Sequence, residues 1–152
     1  MIRTGFASLL ILTACEAPDS QLVPPNTIVG DAIEQSLTNQ AGDVLRGKEL
    51  FSSRDDGHCI LCHQVDEIDA EFQGDVGPAL TYVGDRLSVG QLRLRVVDYQ
   101  LVQPGALMPS YYRIHDLHQV GETYSGETIL SAQEIEDIVA FLATQKVERD
   151  DS

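Results

Sequence analysis

Two cysteines and a histidine stand in one short run, Cys59-Ile60-Leu61-Cys62-His63. Thiols at this spacing, followed at once by an imidazole, suit covalent attachment of a c-type haem: the sulfurs add across the vinyl groups while the ring turns onto the iron. The spacing matters because all three groups must reach one flat macrocycle from a single turn of backbone. Rival chemistries ask for more than the sequence holds. A structural zinc site takes about four N or S ligands, usually from a second cysteine or histidine pair, and the remaining cysteine is Cys15, near the N-terminus. A thioredoxin-like redox pair follows a buried strand in a βαβ pattern, whereas the pattern upstream of Cys59 is helical.

A proximal histidine needs its second nitrogen fixed, usually by donating to a carbonyl or carboxylate. The turn Gly77-Pro78-Ala79-Leu80, some fifteen residues downstream of His63, could supply that carbonyl. A ligand for the opposite face of the iron must arrive well downstream on a rigid loop. Met108, the one internal methionine, lies in such a loop between Pro104 and Pro109, although a methionine is more often core filler. His115 and His118, in a polar stretch, could also ligate; His58, directly before Cys59, reads as a solvated neighbour. Arg86, Arg93 and Arg95 interrupt the acidity of the chain. They suit either solvated helix surface or pairing with haem propionates.

These groups need elements to position them. Asp43 can cap a helix carrying Val44, Leu50 and Phe51, with Gly47 and Phe51 on one face. A mid-helix glycine costs about 1 kcal/mol relative to alanine, so Gly47 points to a close approach by another backbone. Ser88 and Gln91 fit a capping box ahead of Leu92, Val96 and Val97. Ser131 and Glu134 fit a second, with Leu130 and Ile135 placed as a hydrophobic staple and Ile138, Val139 and Leu142 continuing at helical spacing. The pattern predicts an all-α domain over residues 43–146, with a charged tail at 147–152. Residues 16–42 carry Pro18, Pro24 and Pro25 and read as a tether and irregular wrap, with Ile33 and Leu37 in one helical turn.

Residues 1–15 read as a signal peptide: Arg3 gives a positive start, and the apolar run from Gly5 to Leu12 is too short to span a bilayer. Leu12-Thr13-Ala14-Cys15 resembles the lipobox of bacterial lipoproteins, in which Cys15 would be lipidated. The expected location is the periplasm, tethered to a membrane if that lipid is added. With Cys15 lipidated and Cys59 and Cys62 in thioethers, no free thiol would remain. The 152-residue chain carries 24 acidic and 10 basic residues, a net charge of −14, and has no basic stripe for nucleic acid. Such a surface suits steered encounter with a basic partner, and suits a salty habitat equally.

Helix with Gly and Phe, Cys-x-x-Cys-His, Gly-Pro-x-Leu, middle helix, Met-Pro loop, C-terminal helix: this order resembles class I cytochrome c after about residue 40. That resemblance implies a small all-helical fold whose first and last helices cross near Gly47, one covalent haem c, axial ligands His63 and Met108, and a Pro78 carbonyl orienting His63. Gly42-Asp43, Arg46-Gly47, Leu92-Arg93-x-Arg95, Met108-Pro109-x-Tyr111-Tyr112 and the run from Gly126 through Ile129-Leu130-Ser131-Ala132-Gln133-Glu134 to Val139 narrow it. They resemble the SoxX family, monohaem subunits of the SoxAX complex of bacterial sulfur oxidation. The resemblance implies a SoxA partner holding the catalytic cysteine and a SoxYZ carrier to which thiosulfate is oxidatively conjugated. It also implies an acceptor cytochrome for the electrons, so this chain would be the electron-transfer subunit of an L-cysteine S-thiosulfotransferase. The lipoprotein-like start departs from the plain cleavable signal expected there. A free-standing periplasmic electron shuttle would use the same haem residues, and a gas-binding sensor would need a replaceable sixth ligand.

Overall fold

The first and last helices cross at a glycine. In the computed structural model, which describes residues 22–147, α1 (Val44–Ser52) lies against α4 (Ala132–Thr144). A Cβ on Gly47 would stand 1.9 Å from the Asp137 carbonyl oxygen, so only glycine lets these backbones approach so closely. Asp43 caps α1 by accepting from the amides of Leu45 and Arg46, and its own amide donates to Asp137 Oδ1 at 2.8 Å. One residue thus starts the helix and pins it to α4. Below the crossing, the rings of Phe51 and Phe141 meet at 5.6 Å, tilted 58°. Both are fully buried with Leu50, Ile135, Ile138 and Val139.

The remaining helices are α2 (Val83–Arg86) and α3 (Val89–Asp98). Both sequence-predicted capping boxes form, Ser88 with Gln91 on α3 and Ser131 with Glu134 on α4. Leu92, Leu94, Val96 and Val97 carry α3 into the core, where Leu130 and Ile135 are also buried. Short 3-10 turns at Cys59–Leu61, Tyr99–Leu101 and Glu122–Tyr124 punctuate the long connections.

The predicted helical turn at Ile33 and Leu37 is not formed. Instead β1 (Ile28–Val29) pairs antiparallel with β2 (Ala32–Ile33), Ile28 opposite Ile33, around Gly30 at φ +62°. The reason lies in what the segment docks on. Asp31 at the hairpin tip accepts from Gln91 and Arg95 of α3, and Ala32 and Ile33 turn into the core. Further along, the Leu37 amide donates to Glu136 Oε1 at 2.8 Å. The signal-peptide and lipidation expectations, Cys15 included, lie outside the described residues, as does most of the charged tail.

Candidate haem centre

The Cys-x-x-Cys-His run follows α1 after the polar loop 53–57. Gly57 is buried, and a Cβ there would sit 2.6 Å from the Leu50 carbonyl oxygen. His58 takes the left-handed conformation, φ +57°, and turns the chain into the 3-10 turn. The Cys59 carbonyl then accepts from the amides of Cys62 at 3.0 Å and His63 at 2.9 Å, so both thiols and the imidazole leave one closed turn. Ile60, 2% exposed, anchors that turn in the core. Cys59 is half-buried, Cys62 exposed, and both are free thiols.

A second strip of chain clamps the first. The amides of Gly74, Gly77 and Leu80 donate to the carbonyls of Ile60, Cys62 and Gln64 at 2.8–2.9 Å. His63 Nδ1 lies 2.8 Å from the Pro78 carbonyl oxygen. A carbonyl can only accept, so Nδ1 carries the proton and the Nε2 lone pair is left for a metal. Gly77 lies flat against that ring: a Cβ would come within 2.3 Å of His63 Cε1. Gln73, which the sequence did not single out, bonds Val65 through both backbone atoms and the Ile68 carbonyl, holding the acidic loop in place.

Met108 is half-buried and packs against the same core as Cys59. Three residues on, Tyr111 is buried in that core, with the Cys59 and Cys62 thiols near its hydroxyl. The methionine loop and the cysteine turn therefore face each other. Burial pushes the Cys59 thiol up to about 12. Burial, with the Cys59 and Cys62 thiols beside it, also raises the Tyr111 hydroxyl. A thiol held neutral is the opposite of the activated thiolate that disulfide exchange or metal binding requires. Among the described residues, no three His, Cys, Asp or Glu side chains converge as a metal cage. His115 contacts the neighbouring Asp116 at 3.1 Å. The exposed His118 lines a surface hollow of about 420 Å³ that includes none of Cys59, Cys62, His63 and Met108.

Two of the arginines, Arg93 and Arg95, need correction. Arg93 is neither solvated nor available to a propionate: it is 4% exposed, and its guanidinium grips both Glu136 oxygens at 2.7 and 2.9 Å and the Ile33 carbonyl at 2.7 Å. Arg95 pairs with Asp31 at 2.9 Å. The wrap from residue 28 onward, absent from the sequence pattern as an ordered element, draws both cations toward itself. Arg86 donates to the Ala79 carbonyl at 2.9 Å, beside Pro78, and is exposed.

This donor set fits a covalently bound haem: two uncommitted thiols on one turn, an imidazole with Nε2 free, and a thioether on the facing loop. The comparisons agree. The cytochrome c family model matches residues 44–146. The chain belongs to the cytochrome c family. With the family come a covalently bound haem c, the class I helical fold and a role in electron transfer. A chain of the crystal structure of SoxXA from P. pantotrophus matches at a TM-score of 0.71 and 36% sequence identity, over 76% of this chain and 90% of that one. This cytochrome c is accordingly of the SoxX type. No curated protein matches the sequence.

Proposed function

We propose that this cytochrome c is the electron-accepting monohaem subunit of a two-cytochrome complex that conjugates thiosulfate oxidatively to a cysteine of a SoxYZ-type carrier. The observation that carries the reading is the likeness to a chain of SoxXA, at 36% identity over 90% of that chain. In this reading Cys59 and Cys62 would hold the haem by thioethers, and His63 and Met108 would be the residues offered to its iron. Pro78 keeps the His63 ring in the tautomer that leaves Nε2 for iron. A SoxA-type partner supplies the catalytic cysteine, and an acceptor cytochrome takes the electrons onward.

When bound, haem would supply a one-electron carrier, and a neutral thioether and an imidazole as its donors would raise its potential. Joining thiosulfate sulfur to a cysteine thiol releases two electrons and the thiol proton. The electrons would leave one at a time through a carrier of this kind, and the thiol proton would go to solvent. With His63 and Met108 both offered to the iron, this chain would supply no residue to activate thiosulfate, and bond formation would belong to the partner. The proposed location is the periplasm, with residues 1–15 as the signal peptide and a lipid on Cys15 as tether.

Affinity capture of the chain from periplasmic and membrane fractions tests this. A second cytochrome should co-purify, and thiosulfate plus SoxYZ should reduce the haem of this chain. Enrichment in the membrane fraction, lost on Cys15→Ser, would support the tether. Recovery of the chain alone, reduced only by generic donors, would overturn the assignment and leave a free-standing electron shuttle.

A further inference from the structure

The loop that presents Met108 has little backbone pairing of its own. Among the described residues, the amides and carbonyls of 107–110 have no backbone partner. A flexible loop would be a poor mount for a ligand whose sulfur must meet iron at one point. What stitches its ends together is a side chain. Asp98, the last residue of α3, is 2% exposed. Its Oδ1 accepts from the Gln100 amide at 3.1 Å, where the chain leaves the helix, and from the Ser110 hydroxyl at 2.5 Å, two residues past Met108. Its Oδ2 lies 2.9 Å from Arg113 Nη1. Arg113 Nη2 reaches back to Gln100 Oε1 at 3.0 Å, and the Tyr112 amide donates to the Val97 carbonyl at 3.1 Å.

We propose that Asp98 is the positioning residue for Met108, its buried carboxylate tying the start of the ligand loop to its end and so fixing where the thioether sits. The proposal rests on Met108 being an axial ligand. The chemistry explains the residue type. Only a carboxylate accepts from an amide and a hydroxyl on one oxygen while setting a second, charged oxygen beside a guanidinium, without presenting a donor of its own; Oδ2 pairs with Arg113 by charge and makes no hydrogen bond. Asparagine could keep the Oδ1 contacts but would turn an N–H toward Arg113. Burying a charge is a poor way to gain stability, because its desolvation offsets most of what the ion pair returns. What this cluster gives in exchange is a loop with one geometry.

The full-length ferric holoprotein allows a direct test through two readouts. One is the long-wavelength charge-transfer band of a thioether bound to ferric iron. The other is titration with imidazole, which must displace Met108, so its apparent affinity rises as the ligated state is depopulated. Wild type should show the band. Asp98→Asn and Ser110→Ala should bind imidazole more tightly, by about tenfold for Asp98→Asn if the ligated state loses that much of its population advantage. Asp98→Ala should lose the band. Asp43→Ala, which removes the cap of α1 and lies outside the core that Met108 packs on, should lower the melting temperature and leave imidazole affinity at the wild-type value. Wild-type imidazole affinity with an intact band in both Asp98→Asn and Ser110→Ala would overturn the positioning role, even if Asp98→Ala fails to fold. A wild-type protein without the band would instead overturn Met108 as ligand, and this proposal with it.

Discussion

Gly77 is the residue on which His63 rests. Its amide holds the Cys62 carbonyl, its neighbour Pro78 supplies the carbonyl for His63 Nδ1, and its bare α-carbon is the surface against which the ring lies flat. A methyl group at 2.3 Å from Cε1 and 2.6 Å from Nδ1 cannot be absorbed by a small shift. Either the ring swings off Pro78 or the 74–80 strip lifts from the cysteine turn. Gly77→Ala should therefore destabilise the holoprotein by about 1–3 kcal/mol, the usual range for overpacking, read as a lower denaturant midpoint. It should also weaken the His63–Pro78 bond and shift the reduction potential. An unchanged midpoint and potential would mean that glycine here serves only the turn. His58 shows a different demand at the same scale. A non-glycine residue in the left-handed region is uncommon, and here it aims the chain so that Cys59 and Cys62 leave one turn.

At the scale of elements, one buried ion pair joins three segments. Arg93 on α3 and Glu136 on α4 hold each other, and both reach the N-terminal wrap, through the Ile33 carbonyl and the Leu37 amide. Burial pushes the Glu136 carboxyl up, but the bonds from Arg93 and from the Leu37 amide outweigh it and hold the group below its ordinary 4.5. A carboxylate depressed in the folded state contributes stability that is complete above its unfolded value and is lost as pH falls through the folded one. The holoprotein should thus lose stability as pH drops below about 4.5. Glu136→Gln should flatten that part of the profile and cost about 3–5 kcal/mol at neutral pH, because Arg93 is left buried without its charge partner. Denaturation midpoints of both proteins from pH 7 downward check the slope and the offset, and parallel profiles would rule out Glu136 as the group responsible. The same pair shows where sequence reading runs out. Caps, staples and the Gly47 crossing are local or periodic, and were legible for that reason. So was the cysteine turn with its Pro78 clasp. Arg93 and Glu136 are 43 residues apart, and nothing in either neighbourhood announces the other. Two-residue strands such as β1 and β2 are too short to show alternation. Nothing in the sequence singles out Asp98, because Ser110 and Arg113 reach it only after the 103–112 loop has folded back.

At the scale of the whole molecule, the charge is lopsided. Twenty-four acidic residues stand against 10 basic ones. Several cations are already paired within the fold: Arg93 with Glu136, Arg95 with Asp31, Arg113 with Asp98 and Lys48 with Glu67. The excess acidity is therefore presented to solvent, and its field extends about one Debye length, roughly 10 Å at 0.1 M salt. An electron carrier meets its partner by diffusion, so that field acts on encounter rate before it acts on affinity. Electron transfer from the reduced protein to a basic acceptor should be accelerated at low ionic strength, by about tenfold or more, and should slow steadily as salt is added. Transfer to an acidic acceptor of similar potential should do the reverse, starting slow and quickening as repulsion is screened. Stopped-flow rates for the two acceptors across a salt series decide the matter. Opposite slopes that converge at high salt would show that surface charge selects the partner. Two flat lines would mean that docking rests on short-range contacts at the haem edge, and that the acidity serves solubility alone.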